Sequence, residues 1–533
     1  MMAKKLFIFM LTYMFFNFSL GASETSKQYL IKFKSHVSQK TIDRLFKQIG
    51  VEKIKFIKQI SVFKIRINNL KLFGNFQKIL NDKIIFIEPD YKIKAFNTPN
   101  DPLFPDQKGL ENINASLAWD MSTGASSVLV AITDTGYSYN HDELKEQVFV
   151  NQKEIPGNGI DDDNNGFIDD WHGWDFAGDD NDPTDGHMHG THVAGIIGAK
   201  ANNDVGISGV NWNVSILPLQ FLTKDGSGDT SDAIDAIVYA ADMGARVMNA
   251  SWGGSQSSQA LEDAINYGFE KGMLFVCAAG NDSANSDLVA SYPAGHESPG
   301  ILSIASSDPD GKLSSFSNYG ATTVDIVAPG GQILSTVLDN KYGRASGTSM
   351  ASPMAAGVAA LIVSANPALT VLELRNAMLN AVDINGDFEG VVSSSGHINA
   401  QKALAQLQNG FQVWPSQITV AVGKSFQFSA YQGQGAVKWT VDDDKIATID
   451  EKGNLKGLSA GEVVVSLTDA NGNKATTNKV TVHSTSPIPS APGCVAQANA
   501  GTGAEEGSFN FFSIISFFLP FLMLFLIKIR FLK

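Results

Sequence analysis

Apolar and polar positions follow different patterns in different parts of the chain. Between residues 97 and 409, short apolar runs such as 128–132 and 274–278 alternate with helical stretches such as 230–241. This alternation predicts an α/β fold, in which a mostly parallel sheet carries helices on both faces. Residues 411–483 hold only short apolar runs between Gly, Asn and Asp turns, which predicts a small all-β sandwich.

The segment before residue 97 has a mixed pattern. Residues 29–34 and 62–67 alternate as strands do, 84–87 form a further apolar run, and 41–49 predict an amphipathic helix that ends at Gly50. We therefore expect a small α+β unit. So short a chain buries little apolar area, so the unit is expected to be more stable when packed against a partner surface than alone.

Both ends of the chain are apolar. Two lysines, an apolar run and then small residues predict a secretory signal peptide over residues 1–22. Residues 484–508 are rich in Ser, Pro, Gly and Ala, which predicts a flexible linker. Residues 509–533 form a hydrophobic segment with a basic end, and this segment is long enough to span a bilayer.

Charge and cysteine content narrow the choice of partners. The net charge of −14 excludes nucleic acid, because binding of phosphates needs clusters of Lys and Arg. Residues 27–94 are rich in Lys whereas 134–190 are crowded with Asp, so these two regions attract each other. Cys277 lies in an apolar run and Cys494 in the linker, so we expect no disulfide between them.

Three short motifs carry the groups needed for acyl transfer. Asp134 directly follows an apolar strand, His189 lies in the His-rich stretch 187–195, and Ser349 precedes a long apolar helix. A serine hydroxyl needs an adjacent base, and a histidine needs a carboxylate that fixes its tautomer. Strand ends and helix N-termini meet at the carboxyl edge of a parallel sheet, so these three groups are expected together there.

Residues 97–409 resemble the subtilisin-like serine peptidases, because the three motifs match that family in order. The resemblance implies that Ser349 attacks the substrate, that His189 transfers the proton and that Asp134 orients His189. His187 and His192 are the other candidates for the base. The family motif His-Gly-Thr-His places the base at its first histidine, which is His189.

The resemblance also implies an oxyanion hole and a substrate cleft. Asn281 matches the asparagine that stabilises the oxyanion together with the backbone N–H of Ser349. An extended substrate is expected to bind as an added strand, where glycines allow its backbone to approach closely. The pocket for the residue before the cleaved bond has no acidic side chain, so we expect an apolar preference there and not a basic one. The residues expected to line the cleft are Gly226, Ser227, Gly228, Ser251, Trp252, Gly253, Gly254, Ala279 and Gly280.

The acidic stretch 161–170 predicts a calcium site, because oxygen ligands stand at EF-hand-like positions 1, 3, 5 and 9 with glycine at position 6. It lacks the glutamate of position 12, which is His172, and an acidic surface loop is the alternative. The expected ligands are Asp161, Asp163, Asn165, Phe167 and Asp169.

A second calcium site is implied by resemblance alone. Residues 97–102 are similar to the mature start of thermitase-type members of the family, in which the aspartate binds calcium. Glu143, which stands where aspartate is usual, and the polar loop 201–207 match the remaining ligands of that family site. The implied set is Asp101, Glu143, Ala201, Asn203, Val205 and Ile207.

The flanking segments have resemblances of their own. Residues 23–96 resemble the inhibitor-type propeptide of the family, with self-cleavage expected near residues 96–97. Residues 410–483 resemble bacterial Ig-like domains of the second type, expected to act as a spacer or adhesive module. Residues 509–533 resemble a sorting signal that a dedicated protease trims, and a permanent membrane anchor is the alternative.

The sequence therefore predicts a secreted serine endopeptidase, made as a self-processing zymogen, stabilised by calcium and acting as a monomer on proteins or peptides. We expect export through the inner membrane to a bacterial cell envelope or surface. The alternative is a catalytically silent surface-binding protein that uses the Ig-like domain. Loss of a residue of the triad would favour that alternative, and none is lost.

Overall fold

The computed structural model describes residues 27–48, 51–67, 83–90 and 97–484 of the 533-residue chain. The predicted signal peptide, the expected cleavage point at residue 96, nearly all of the linker and the hydrophobic C-terminal segment lie outside the described residues.

In its described residues the N-terminal unit is a four-stranded antiparallel sheet in the order β2–β3–β1–β4, with the helix α1 packed against it. Its core includes the rings of Phe33, Phe46 and Phe63, which meet edge to face at 5.6–6.0 Å. The sequence pattern predicted every element except β2, whose Ile54 and Phe56 remain exposed. The elements are β1 (Lys27–Phe33), α1 (Gln39–Gln48), β2 (Val51–Ile57), β3 (Val62–Ile67) and β4 (Ile84–Pro89).

The central region is built on a nine-stranded sheet in the order β14–β15–β11–β10–β9–β8–β5–β7–β6. Every pair is parallel except β14 with β15, as the alternation of strand and helix predicted. Its strands are β5 (Gly124–Asp134), β6 (Trp174–Asp175), β7 (Asn213–Gln220), β8 (Val247–Ala250), β9 (Leu274–Ala278), β10 (Ile301–Ser307), β11 (Ile326–Pro329), β14 (Val382–Ile384) and β15 (Gly396–Ile398), and β12 (Ile333–Val337) and β13 (Lys341–Ala345) form a separate hairpin.

Helices connect these strands and cover the sheet. They are α2 (Lys108–Asn112), α3 (Ala115–Trp119), α4 (His189–Gly198), α5 (Thr230–Asp242), α6 (Gln259–Glu270), α7 (Thr348–Ala365), α8 (Val371–Asn380) and α9 (Ala400–Ala405). Helices α4 and α7 belong to one hydrophobic cluster with the sheet, whereas α5 and α6 pack in a second cluster. Both faces of the sheet are therefore covered, as the pattern predicted.

Helix α7 lies in the middle of the core. Within the described ranges it is the one helix long and apolar enough to cross a membrane, and 83% of that apolar stretch is buried inside the protein. Its apolar composition therefore serves packing against the sheet.

Residues 411–484, the last part of the chain that the structure describes, contain short strands and no helix, and the strands form small sheets. The predicted all-β character is confirmed. The strands are β16 (Gln412–Trp414), β17 (Gln417–Ala421), β18 (Ser425–Gln427), β19 (Ser429–Tyr431), β20 (Lys438–Val441), β21 (Ala447–Ile449), β22 (Asn454–Gly457), β23 (Gly461–Val463), β24 (Val465–Thr468), β25 (Lys474–Thr476) and β26 (Lys479–His483).

Candidate active site

The three residues of the predicted triad lie at element ends on one edge of the sheet. Asp134 is the last residue of β5, His189 is the first residue of α4, and Ser349 is the second residue of α7. Strands β5 and β8 are parallel neighbours that pair Thr133 with Ala250. Asp134 and the residue after β8, Ser251, therefore emerge side by side at the carboxyl edge, where open α/β sheets bind ligands.

Asp134 and His189 form a buried pair. His189 Nδ1 lies 2.7 Å from Asp134 Oδ1, and Asp134 is 1% exposed. Because a carboxylate only accepts hydrogen bonds, Nδ1 carries the proton and Nε2 is left free to act as a base. Burial acts to lower the pKa of His189, but the charge of Asp134 and its hydrogen bond outweigh burial, so this pKa is raised above its ordinary value.

The structure separates His189 from the two rival histidines. His192 is fully buried within α4, and its Nε2 lies 3.1 Å from the Ile333 carbonyl oxygen. Burial lowers the pKa of His192 to about 4, so this ring stays neutral inside the core. His187 is exposed, and its ring centroid lies 6.4 Å from that of His189. Neither rival has a hydrogen bond to Asp134 in the part of the chain that the structure describes.

Asp185 organises the loop that leads into His189, and sequence reasoning missed it. Its Oδ1 accepts the backbone N–H groups of His187 and Met188 at 2.8 and 2.9 Å, and its Oδ2 accepts the hydroxyl of Thr191 at 2.6 Å. Burial acts to raise the pKa of Asp185, yet these hydrogen bonds hold it below its usual range. An aspartate shortly before the helix start was the available signal, because a carboxylate is favoured near the unpaired N–H groups of a first helical turn.

Ser349 stands at the N-terminus of a buried helix. Its hydroxyl donates to the Ser251 carbonyl oxygen at 3.1 Å, so the hydroxyl must leave this acceptor before it can donate to His189. The N–H groups of a first helical turn have no partner inside the helix, and the helix dipole makes this end attractive to negative charge. The backbone N–H of Ser349 is therefore suited to bind an anion.

Asn281 is held by the residue next to Ser349. Its Oδ1 accepts both the backbone N–H of Thr348 at 2.9 Å and the Thr348 hydroxyl at 3.0 Å. With the amide oxygen fixed on Thr348, the Nδ2 group of Asn281 is left to donate to another acceptor. Thr348, which is fully buried, is a positioning residue that sequence reasoning did not identify.

The expected substrate segments lie around this edge. Gly254 and Tyr292 exchange two backbone hydrogen bonds of 2.8 Å, which joins the stretch 251–254 to the neighbouring loop. The stretch 226–228 is exposed and leads into α5. Trp252 is turned inward, since its Nε1 donates to Thr133 Oγ1 at 3.0 Å and its ring lies 4.9 Å from that of Phe221.

Gly280 is needed where β9 turns towards Asn281. Its φ of +108° is unfavourable for other residues, and a Cβ there would lie 2.3 Å from Asn318 Nδ2. Asn318 is 1% exposed, donates to the Ala279 carbonyl oxygen at 3.0 Å and accepts the Asp282 N–H at 2.9 Å. This asparagine, also missed from the sequence, fixes the path of the chain on both sides of Asn281.

Part of the first predicted calcium set comes together. Glu154, Asp161 and Asp163 each offer a carboxylate oxygen, and these oxygens lie within 4.8 Å of one another. Glu154, which was not predicted, is 6% exposed, and its Oε2 is buried without a hydrogen-bond partner. A buried carboxylate oxygen without a donor, next to two other carboxylates, fits a hard cation such as calcium.

Two other predicted ligands of this loop accept hydrogen bonds from backbone donors of the same loop. Asp169 accepts the backbone N–H groups of Asn158 and Gly159 at 3.1 and 2.8 Å. Asn165 Oδ1 accepts the N–H of Phe167 at 2.8 Å. These side chains hold the loop in shape through its own backbone donors.

The second implied calcium set also comes together, with a different pattern of partners. Asp101 accepts the N–H groups of Asn202 and Asn203, and Glu143 accepts Ile207 N–H at 2.8 Å and Asn203 Nδ2 at 3.0 Å. Burial raises the pKa of Glu143 to about 7. Asn203 thus donates from its amide nitrogen to Glu143, while its Oδ1 accepts the N–H of Val205 at 3.0 Å.

A buried Asp–His pair beside a serine at a helix N-terminus defines the site of a serine hydrolase. The profile of the "Subtilase family" matches residues 125–412, and that of the "Bacterial Ig-like domain (group 2)" matches residues 409–480. The chain therefore belongs to the subtilase family of serine proteases and carries a bacterial Ig-like domain.

Curated relatives agree with this assignment. The chain is 36% identical to the "Thermophilic serine proteinase" of Bacillus sp. (strain AK1), over 70% of this chain and 86% of that protein. It is 38% identical to "Thermitase" of Thermoactinomyces vulgaris, over 58% of this chain and 99% of that protein. It is 38% identical to the "Halolysin-like extracellular serine protease Nep" of Natrialba magadii, over 62% of this chain and 57% of that protein.

The raised pKa of His189 predicts how activity depends on pH. A base must be neutral to act, so kcat/KM should fall as pH decreases through the pKa of His189, at a pH above the ordinary histidine value of about 6.5. A pH profile of kcat/KM for peptide hydrolysis measures this decrease, which is the acidic limb of the profile. The matched variant His187→Gln should leave the limb in place. A limb below the ordinary value, or one that moves with His187→Gln, would contradict the assignment of His189.

Proposed function

We propose that this subtilase is an endopeptidase that uses Asp134, His189, Ser349 and Asn281. The observation that carries the proposal is the buried Asp134–His189 hydrogen bond of 2.7 Å next to the helix start that presents Ser349. In this mechanism Ser349 Oγ attacks the carbonyl carbon of the substrate while His189 Nε2 takes its proton.

The remaining steps follow from the same groups. The C–O bond to Ser349 turns the substrate carbonyl into an oxyanion, which accepts hydrogen bonds from Asn281 Nδ2 and the N–H of Ser349. His189 then gives its proton to the amine, the C–N bond breaks and an acyl-enzyme remains. Water, deprotonated by His189, attacks the ester and releases the second product, so Ser349 recovers its proton.

The substrate is proposed to be an extended polypeptide that pairs with the stretches 226–228 and 251–254. Exposed glycines at 253 and 254 support close approach of a second backbone. We propose an apolar preference for the residue before the cleaved bond, because the stretches 251–254, 279–280 and 291–293 contain no acidic side chain.

We also propose that the enzyme is made as a zymogen and exported. The Lys-rich unit within 23–96 and the Asp-rich stretch 134–190 have complementary charge, which supports docking of an inhibitory propeptide before cleavage near residues 96–97. Relatives named as extracellular proteases support secretion. The C-terminal segment 509–533 is proposed to hold the enzyme at the cell envelope, either as a retained anchor or until a sorting protease trims it.

Calcium is proposed at the cluster of Glu154, Asp161 and Asp163. These three carboxylates would supply oxygen ligands, and the bound ion would neutralise their repulsion and so stabilise the loop. The ion takes no part in the chemistry at Ser349. For the set around Asp101 and Glu143, calcium stays a prediction that rests on the resemblance to thermitase-type members.

The first test of this function is the variant Ser349→Ala in the full chain. Without the nucleophile, self-processing near residues 96–97 should stop, and casein cleavage should fall by about 10⁶, the size known for subtilisin. Mass spectrometry of the N-terminus and a casein assay measure both effects. Wild-type enzyme added in trans should still process the variant, which shows that it is folded. Processing of Ser349→Ala at the wild-type rate would refute the proposal.

The oxyanion role predicts a selective loss in kcat. Asn281→Ala should lower kcat by roughly 10²–10³ with little change in KM, because one donor to the developing oxyanion is lost; this magnitude comes from subtilisin itself. Asn471→Ala, at an exposed turn of the Ig-like domain, is the matched control. Steady-state kinetics on a peptide anilide separate the two constants. A decrease of less than about threefold would remove Asn281 from the mechanism.

Calcium removal should lower stability. In the Ser349→Ala background, calcium at about 100 times its Kd should stabilise the folded state by about 2.7 kcal/mol relative to excess chelator, because it binds only the folded state. Differential scanning calorimetry measures the shift in Tm. Glu154→Gln and Asp161→Asn should each reduce the shift, while the exposed control Asp444→Asn should retain it. An unchanged Tm with chelator would rule out calcium at the cluster.

A further inference from the structure

The Ig-like domain packs directly against helix α8 of the peptidase. Asn376 of α8 is fully buried, and its Nδ2 donates to the Gln427 carbonyl oxygen at 2.9 Å and to Ser429 Oγ at 2.8 Å. Asn380, one turn later, accepts the N–H of Ser416 at 2.8 Å. A buried amide is costly unless its donors are paired, so α8 depends on the Ig-like domain for these partners.

The hydrophobic core continues across this contact. Trp414 is fully buried and stacks on Tyr431 with ring centroids 3.9 Å apart, and the Tyr431 hydroxyl donates to the Leu407 carbonyl oxygen at 3.0 Å. Both rings belong to the same cluster of buried side chains as Leu374 of α8 and the helix α7. A domain on a flexible tether would not share a core with its neighbour.

Arg375 links the Ig-like domain to the sheet. Its guanidinium lies 5.4 Å from the centroid of the Phe426 ring in β18. On the peptidase side, Arg375 Nε donates to the Ile301 carbonyl oxygen at 2.7 Å, and Nη2 lies 3.2 Å from Asp325 Oδ1. Ile301 begins β10, so this cation ties the Ig-like domain to the point where the preceding loop enters the sheet.

That loop also pairs with a segment of the proposed substrate cleft. Between Asn285 and Gly300 it carries Tyr292, which pairs with Gly254 on the cleft side, and Glu297, which forms an ion pair with Lys424 of the Ig-like domain. The same loop lines a cavity of about 860 Å³ between the two domains, together with residues 418–421 and 423–427. One loop therefore contacts the substrate cleft at one point and the Ig-like domain at another.

We propose that the Ig-like domain is docked rigidly on α8 of the peptidase. Through Arg375 and the loop 285–300, the docked domain positions one side of the substrate pocket. The assignment of the pocket rests on the proposed function, whereas the docking does not. The Ig-like domain in this arrangement is a positioning element, which contrasts with the spacer or adhesive module expected from sequence.

The test changes the interface from each side in the full chain. Asn376→Ala alters the peptidase side and Phe426→Ala the Ig-like side, while Leu458→Ala removes an exposed apolar side chain of the same Ig-like domain as a matched control. Calorimetry in the Ser349→Ala background reports docking without any need for activity. We expect the peptidase and the Ig-like domain to unfold in one transition, which both interface variants lower and the control does not.

Steady-state kinetics of the processed enzyme test whether the Ig-like domain positions the substrate pocket. Phe426→Ala should raise KM for an extended peptide by roughly 3–10-fold with kcat nearly unchanged, because substrate binding and not the chemical step is altered. Leu458→Ala should keep both constants. Separate unfolding of the two domains, unaffected by either variant, would overturn the docking. A KM that Phe426→Ala leaves unchanged would overturn the positioning role. If wild type is inactive, the proposed function fails, and calorimetry still decides the docking.

Discussion

The burial of helix α7 against the parallel sheet is the interaction on which the rest of this structure depends. The helix is rich in Ala, and at its one glycine, Gly357, a Cβ would already lie 2.7 Å from Val210, so only glycine allows this approach. Close packing of this kind leaves the helix little freedom to shift, because protein interiors are dense and have low compressibility. Because Ser349 is its second residue, the same packing fixes the nucleophile relative to the ends of β5 and β8.

A second constraint is the way in which buried carboxylates are satisfied. Asp134 and Asp185 are nearly inaccessible, and they accept hydrogen bonds from backbone N–H groups, hydroxyls and an imidazole. The half-buried Asp287 also accepts, through Oδ1, hydrogen bonds from the backbone N–H and hydroxyl groups of Thr322 and Thr323. Each carboxylate ties several loop residues to one point. The loops around the cleft are thereby organised by buried negative charge, which agrees with the acidic composition of the chain.

The Ig-like domain shows how a boundary read from composition differs from a boundary in packing. The change from alternating strands and helices to strands alone is visible near residue 410, and the two family profiles also meet there. Yet buried side chains on both sides of this point form one cluster, and Asn376 finds its partners across it. The sequence of α8 could not reveal this, because a polar residue at one helical position is expected on a solvated face.

The sequence by itself determined the fold class, the order of the main elements and the motifs that hold Asp134, His189 and Ser349, because strand and helix periodicity and contiguous motifs are local properties. Those motifs also implied, through the family resemblance, that Asp134 orients His189. Only the tertiary structure decided the supporting contacts: it buried His192 and gave Asp185, Thr348, Asn318 and Glu154 their partners at the sites. It also turned Asn165 and Asp169 towards backbone donors. The reason is physical: the partner of a buried polar atom is set by packing of the whole domain, which no local pattern records.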